Sequence, residues 1–142
     1  MSLAYFDASA LVKLVVEEAG SDLAAALWDG ADGVFSSRVA PAEVRAAVAA
    51  AHRAGRLDDT GLRRTTQSWT ALRPSLRMIE LTGAVEQHAG ELTGQHALSG
   101  FDAIHLASAL TLVEAAPIIA TWDARLLRGA QTAGLRTLPA AP

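Results

Sequence analysis

Cysteine is absent from this sequence of 142 residues, and lysine occurs once, at Lys13. Without cysteine the chain has no disulfide, no thiolate metal site and no cysteine nucleophile. The single lysine lies outside any glycine-rich phosphate-binding motif, which excludes a P-loop and also the C-terminal lysine of a receiver domain. Aromatic residues make up only 5% of the chain, so a core must be packed mainly with Ala, Leu and Val.

Long apolar runs are also missing, because no uncharged apolar stretch reaches the ~20 residues that cross a bilayer. The first residues lack a basic segment, and Asp7 and Lys13 interrupt their apolar pattern, which argues against a signal peptide. A net charge of −3 argues against bulk electrostatic binding of nucleic acid. We therefore expect a soluble, cytoplasmic protein with no membrane contact.

The apolar pattern predicts short strands that alternate with helices. With 51% hydrophobic residues, the chain is expected to form one domain over residues 1–142. Strands are predicted at 3–6, 33–37, 77–81, 117–121 and 136–138. Helices are predicted at 9–18, 21–31, 41–55, 58–72, 83–94, 99–110 and 123–134, with Ser21 as a plausible N-cap. This alternation is typical of an α/β domain with a mostly parallel sheet.

Four acidic residues begin predicted helices, namely Asp7, Glu43, Asp102 and Asp123. Each has a structural explanation by itself, because an acid in the first turn caps a helix or favours its dipole by ~0.3–1 kcal/mol. Ser99 and Asp102 have the spacing of a capping box. However, Asp7 and Asp123 also follow predicted core strands, and the carboxyl ends of parallel strands are where such folds place their chemistry.

Taken together, the four acids favour a cation site. Two carboxylates ~4 Å apart repel by about 4 kcal/mol at an effective dielectric constant of 20. A divalent ion removes this conflict, and a set of oxygen ligands suits Mg²⁺ or Mn²⁺. Helix N-termini also favour a bound phosphate. The combination predicts metal-assisted hydrolysis of a phosphodiester.

The nucleophiles and imidazoles of the chain are less informative. Ser9 lacks the G-x-S-x-G elbow of a hydrolase and is better explained as a cap or a support for the site. The four histidines lack the H-E-x-x-H arrangement of a zinc protease. His105 lies three residues after Asp102, so the two can share a helix face. We interpret His105 mainly as a packed or hydrogen-bonded residue, with direct chemistry as the alternative.

Four segments resemble, in order, the motifs of the PIN-domain family, and specifically of the small VapC-type toxins. They are "YFDASALVKL", "PAEVRAA", "DAIHLASA" and "ATWDARL". The resemblance covers the whole chain. It implies a three-layer α/β/α domain whose five-stranded sheet has the order 3-2-1-4-5. It also implies that Asp7, Glu43, Asp102 and Asp123 form an acidic quartet, with Asp7 and Asp102 as the first candidates for direct metal ligands.

The same resemblance implies an RNA endonuclease, usually a homodimer, that is silenced by a VapB-type antitoxin. Ser9 and Thr121 match small hydroxyl positions that orient the site. One difference is that many relatives carry a basic residue shortly before the third aspartate, whereas this chain has Ser99, Gly100 and Phe101. This difference affects the expected substrate contacts more than the expected metal binding.

Arginines are candidates for the RNA contacts. Arg63, Arg64, Arg73 and Arg77 either hold RNA phosphates or solvate one face of the protein, and the nearby Asp58 and Asp59 favour solvation. Arg63 and Arg64 are the tentative RNA-binding pair.

Two other classes of function remain open from the sequence. A haloacid-dehalogenase-like phosphatase also has an aspartate after its first strand, but its D-x-D motif requires an acid where Ser9 stands. A non-catalytic binding module is compatible with the fold but would leave the four acidic residues without a function.

Overall fold

Five short strands pair side by side, all in parallel, in a computed structural model that describes residues 2–142. Their order across the sheet is β3-β2-β1-β4-β5, as the family resemblance implied. The bounds are Leu3–Phe6 for β1, Gly33–Ser37 for β2, Leu76–Ile79 for β3, Ile118–Ala120 for β4 and Arg136–Leu138 for β5.

Helices connect the strands and cover both faces of the sheet. The bounds are Ala8–Val15 for α1, Ser21–Gly30 for α2, Ala40–Arg53 for α3, Asp59–Leu72 for α4, Gly83–Gln95 for α5, Gly100–Leu110 for α6 and Ala124–Thr132 for α7. Short 3₁₀ turns follow α4 and α6. No helix within residues 2–142 is long and apolar enough to span a bilayer.

Successive side chains of β1 point to opposite faces of the sheet, and a separate hydrophobic core lies on each face. Ala4 and Phe6 point into a core formed with α1, α2, α3 and α4, whereas Tyr5 points into a core formed with α5, α6 and α7. All three residues are completely buried, because helices cover both faces of this central strand. The structure therefore has the three layers that the resemblance implied.

The predicted helix over 9–18 is too long, because α1 ends at Val15 and Val16 has extended backbone. The hydroxyl of Ser21 donates to the Val16 carbonyl at 3.0 Å and accepts from the Glu18 N–H at 3.0 Å. These bonds satisfy backbone groups of the connection between α1 and α2. Ser21 consequently does not act as the predicted N-cap of α2.

Gly20 occupies that N-cap position instead, with a left-handed backbone at φ +93°. A Cβ atom at this glycine would lie 2.8 Å from the indole nitrogen of Trp122. The Lys13 ammonium also lies over the Trp122 ring, 5.1 Å from the ring centroid. The absence of a side chain at Gly20 therefore lets Trp122, in the segment that follows β4, pack closely against this turn.

We expect Gly20→Ala to lower the free energy of unfolding by ~1–3 kcal/mol, because the new Cβ meets the indole and the residue must keep a positive φ. Urea denaturation at neutral pH measures this loss. Gly90→Ala in the exposed middle of α5 is the matched control, since no atom outside its own helix turn lies within 4 Å of the added Cβ. The control should be neutral or stabilising by up to ~1 kcal/mol. Equal effects of the two substitutions would contradict this account.

Candidate active site

Two of the four acids meet where β1 and β4 lie side by side. Phe6 is paired with Ala120 in the sheet, so Asp7 and the segment 121–123 leave the same carboxyl edge. Asp7 is the N-cap of α1 and Asp123 is the N-cap of α7. The capping interpretation and the predicted placement at the strand ends are thus both correct for these two residues.

The carboxylate of Asp7 is held by three donors. Its Oδ1 accepts from the Ser9 hydroxyl at 2.6 Å and from the Ala10 N–H at 2.9 Å, and its Oδ2 accepts from the Thr121 hydroxyl at 2.6 Å. Only 3% of Asp7 is exposed, so these bonds replace water around the carboxylate. Ser9 and Thr121 therefore contact Asp7 directly.

The two hydroxyls also fix the segment after β4. The Ser9 oxygen accepts from the Trp122 N–H at 2.9 Å, and the Thr121 oxygen accepts from the Asp123 N–H at 3.1 Å. Each hydroxyl thus donates to Asp7 and accepts from a backbone N–H of the segment that follows β4. Asp7 and Asp123 are joined through Thr121 as a result.

Asp102 lies in the first turn of α6, where the Ser99 hydroxyl accepts from its backbone N–H at 3.2 Å. Ser99 is therefore the N-cap, as expected. Burial raises the pKa of the Asp102 carboxyl, and the negative charges of Asp123 and then Asp7 raise it further. The carboxyl of Asp102 is therefore close enough to Asp123 and Asp7 for their charges to affect its pKa.

Burial also raises the pKa of Asp7, although the hydrogen bonds from the hydroxyls of Ser9 and Thr121 partly oppose the increase. A carboxylate in this position gains from any added positive charge, because burial penalises its ionised form.

Glu43 lies in the first turn of α3 and reaches the site through a histidine. Its Oε1 atom is 2.6 Å from Nε2 of His105, and Nδ1 of that ring is 2.7 Å from the Tyr5 hydroxyl. The sequence interpretation of His105 as a hydrogen-bonded residue agrees with these contacts. Tyr5 was not identified from the sequence, although a tyrosine buried in a central strand normally needs a partner for its hydroxyl.

The donor atoms of the acidic quartet fit a hard divalent cation, because they are all carboxylate oxygens. Across residues 2–142, however, no three acidic or imidazole side chains are close enough to form a finished cage for an ion. Burial raises the pKa of Asp7 and of Asp102, and the charges of Asp123 and Asp7 raise that of Asp102 further. A cation bound at this edge would favour the ionised form of both carboxyls.

Arg63 and Arg64 are exposed residues in the first half of α4. The Arg63 guanidinium donates to the Thr60 hydroxyl at 3.2 Å. The start of α4 is joined to the end of α3 by His52 and Asp59, whose Nε2 and Oδ1 atoms are 2.8 Å apart. The contact of these two arginines with RNA stays a prediction.

The PIN domain family model matches residues 4–131, so this chain belongs to the PIN domain family. Two proteins of Mycobacterium tuberculosis are 52% identical to it over 140 residues, covering 99% of this chain and 97% of each relative. They are Ribonuclease VapC45 of strain CDC 1551 / Oshkosh and Ribonuclease VapC49 of strain ATCC 25618 / H37Rv. The resemblance to VapC-type proteins is confirmed, and the family match removes the haloacid-dehalogenase-like alternative.

Solved structures show the same fold at low sequence identity. PAE2754 from Pyrobaculum aerophilum has a TM-score of 0.71 at 16% identity, covering 97% of this chain and 85% of that protein. A chain of a toxin-antitoxin complex from Klebsiella pneumoniae has a TM-score of 0.61 at 19% identity, covering 89% and 91%. These similarities support the fold of the present chain.

Asp7→Asn should change the pH dependence of stability in the metal-free protein, because asparagine does not titrate. Because the native pKa of Asp7 is raised, the folded state binds this proton more tightly than the unfolded chain. Stability contributed by Asp7 therefore falls as the pH rises from the ordinary aspartate value towards the raised one. Asparagine avoids this loss, so the wild type should lose more stability than Asp7→Asn between about pH 4 and pH 7.

Thermal unfolding in EDTA at pH 4 and pH 7 measures the difference between wild type and Asp7→Asn. Asp58→Asn is the matched control, because Asp58 also caps a helix, through a 2.7 Å bond to the Gly61 N–H, but is exposed. An equal change in stability between pH 4 and pH 7 in the wild type and in Asp7→Asn would contradict the electrostatic account.

Proposed function

We propose that this chain is an Mg²⁺- or Mn²⁺-dependent endoribonuclease and the toxin of a VapBC-type toxin–antitoxin pair. The observation that carries the proposal is the buried Asp7 at the junction of β1 and β4, with Asp102 and Asp123 beside it, in a PIN domain. The 52% identity to two proteins named as VapC ribonucleases supports the same activity. RNA is accordingly the proposed substrate.

Asp7, Glu43, Asp102 and Asp123 are the residues that would hold the metal. When bound, the metal supplies an activated water and stabilises negative charge at the scissile phosphate. Ser9 and Thr121 orient Asp7 by donating to both of its carboxylate oxygens. Asp102 and Asp123 are partly exposed and border the solvent side of the site, whereas Asp7 forms its buried floor.

A VapB-type antitoxin is the proposed inhibitory partner, and a homodimer in the cytoplasm is the proposed working form. The structural similarity to a chain of a toxin-antitoxin complex supports the partner. The absence of a membrane-spanning helix within residues 2–142 is compatible with this location.

Asp102→Asn should reduce metal-dependent RNA cleavage by at least about 100-fold, the upper end of the loss expected for residues that only support a ligand. The helix should remain intact, because Ser99 caps it through the backbone N–H of residue 102. Cleavage of a structured RNA by purified protein, with Mn²⁺ or with EDTA, measures the effect. Asp29→Asn, at an exposed acid near the end of α2, is the control.

The result also distinguishes the two open functions. A non-catalytic binding module would show no RNA cleavage with Mn²⁺ in the wild-type protein. Undiminished cleavage in Asp102→Asn would instead show that the acidic quartet is not the catalytic site.

RNA contacts are best tested by salt dependence, because each neutralised phosphate of a single strand contributes about 0.7 to the slope of log K against log salt. If Arg63 and Arg64 hold phosphates, their double alanine variant should lower the slope by about 1.4. Arg125 and Arg128 are the comparison pair, because they line one surface pocket with His96 and follow Asp123 closely. If only the Arg125/Arg128 double alanine variant has a smaller slope of log K against log salt, the RNA phosphates contact α7 and not Arg63 and Arg64.

A further inference from the structure

A buried chain of hydrogen bonds connects the hydrophobic core beneath the sheet edge with one member of the acidic quartet. It begins at the Tyr5 hydroxyl, passes through both nitrogens of His105 and ends at the Glu43 carboxylate. The two distances are 2.7 Å and 2.6 Å, and Tyr5 and His105 are 0% and 2% exposed. An apolar side chain would fill the same space at a lower cost in desolvation free energy, so packing alone does not explain a polar group at either position.

We propose that Tyr5 and His105 are positioning residues that hold the Glu43 carboxylate in the acidic site. This inference rests on the proposed function, because Glu43 is there a metal-holding residue. His105 cannot touch an RNA substrate at 2% exposure, so it acts through Glu43. Tyr5 lies one step further away and acts through His105.

The order of donors along the chain follows from the chemistry of its ends. An ionised Glu43 carboxylate only accepts hydrogen bonds, so Nε2 of His105 must carry a proton and donate. In a neutral ring Nδ1 is then an acceptor, and the Tyr5 hydroxyl donates to it. The Tyr5 phenol carries the proton that this arrangement requires, because an ordinary tyrosine has a pKa of about 10 and is protonated at neutral pH. Tyr5 thereby selects the tautomer of His105 that can hold Glu43.

Orientation matters more for Glu43 than for Asp7. Three donors restrain Asp7 from both sides, whereas the side chain of Glu43 is 29% exposed and has three rotatable bonds before its carboxylate. The bond from His105 supplies the missing restraint. It holds one oxygen of the Glu43 carboxylate, Oε1, at 2.6 Å from the ring nitrogen.

The ring geometry supports a fixed imidazole. The Tyr5 and His105 rings meet edge to face at 75°, with centroids 5.9 Å apart. The first histidine nitrogen is therefore anchored to β1 and the second to α3, although His105 itself belongs to α6. Groups that orient metal ligands in this way typically change metal affinity or activity by about 10- to 100-fold when they are removed.

Three variants test the proposal. Tyr5→Phe deletes only the hydroxyl, His105→Leu deletes both ring nitrogens, and His105→Gln keeps an N–H that can reach Glu43. Thr65→Val is the matched control, because it removes a buried hydroxyl from α4, outside the chain. Thermal unfolding first establishes that each variant folds.

The first measurement uses the metal-free protein and reads the tautomer of His105 from the ¹⁵N signals of its ring. The wild type should show a protonated Nε2 and a hydrogen-bonded, unprotonated Nδ1. Tyr5→Phe should shift the Nδ1 signal or mix the two tautomers, whereas Thr65→Val should not. An unchanged spectrum in Tyr5→Phe would overturn the role of Tyr5.

The second measurement is Mn²⁺ affinity by titration calorimetry. His105→Leu should weaken binding by about 10- to 100-fold, with partial recovery in His105→Gln and an intermediate loss in Tyr5→Phe. Wild-type affinity in a folded His105→Leu protein would overturn the inference. Failure of the wild type to bind Mn²⁺ would instead contradict the proposed function, and the metal-free ¹⁵N spectra would then decide the positioning role alone.

Discussion

The buried carboxylate of Asp7 is the constraint on which the carboxyl edge of the sheet depends. Asp7 is 3% exposed, and a charge taken out of water needs donors in fixed places. These come from the start of α1 and from the segment after β4, two parts of the chain that are more than 100 residues apart. Satisfying this one group therefore aligns the two strand ends that carry Asp7 and Asp123.

The same edge joins the helical layers on opposite faces of the sheet. Glu43 belongs to α3, which packs in the core with α1 and α2, whereas His105 belongs to α6 in the other core. Their hydrogen bond crosses from one layer to the other at the end of β1. The acids are consequently held by the tertiary packing of both layers, which relates the stability of the fold to the geometry of the site.

Apolar periodicity predicted the fold well because each element has a separate and regular pattern. The central strand β1 begins and ends where the pattern indicated, and α3 begins close to Pro41. The end of α1 was predicted too late because its last residues remain apolar while Ser21 captures the Val16 carbonyl. Such a side-chain bond across a turn leaves no periodic signal. The left-handed conformation of Gly20 is likewise a feature of one turn, and the apolar pattern does not indicate it.

By itself the sequence determined the strand order through its motifs, the four acids at helix starts, and the hydroxyls of Ser9 and Thr121. These are properties of spacing and residue type, which the sequence contains without any knowledge of the tertiary structure. Only the tertiary structure decided that Tyr5 and His105 form a chain to Glu43. Hydrogen bonds between residues 62 and 100 positions apart depend on how helices pack across a sheet, and no local pattern encodes that packing.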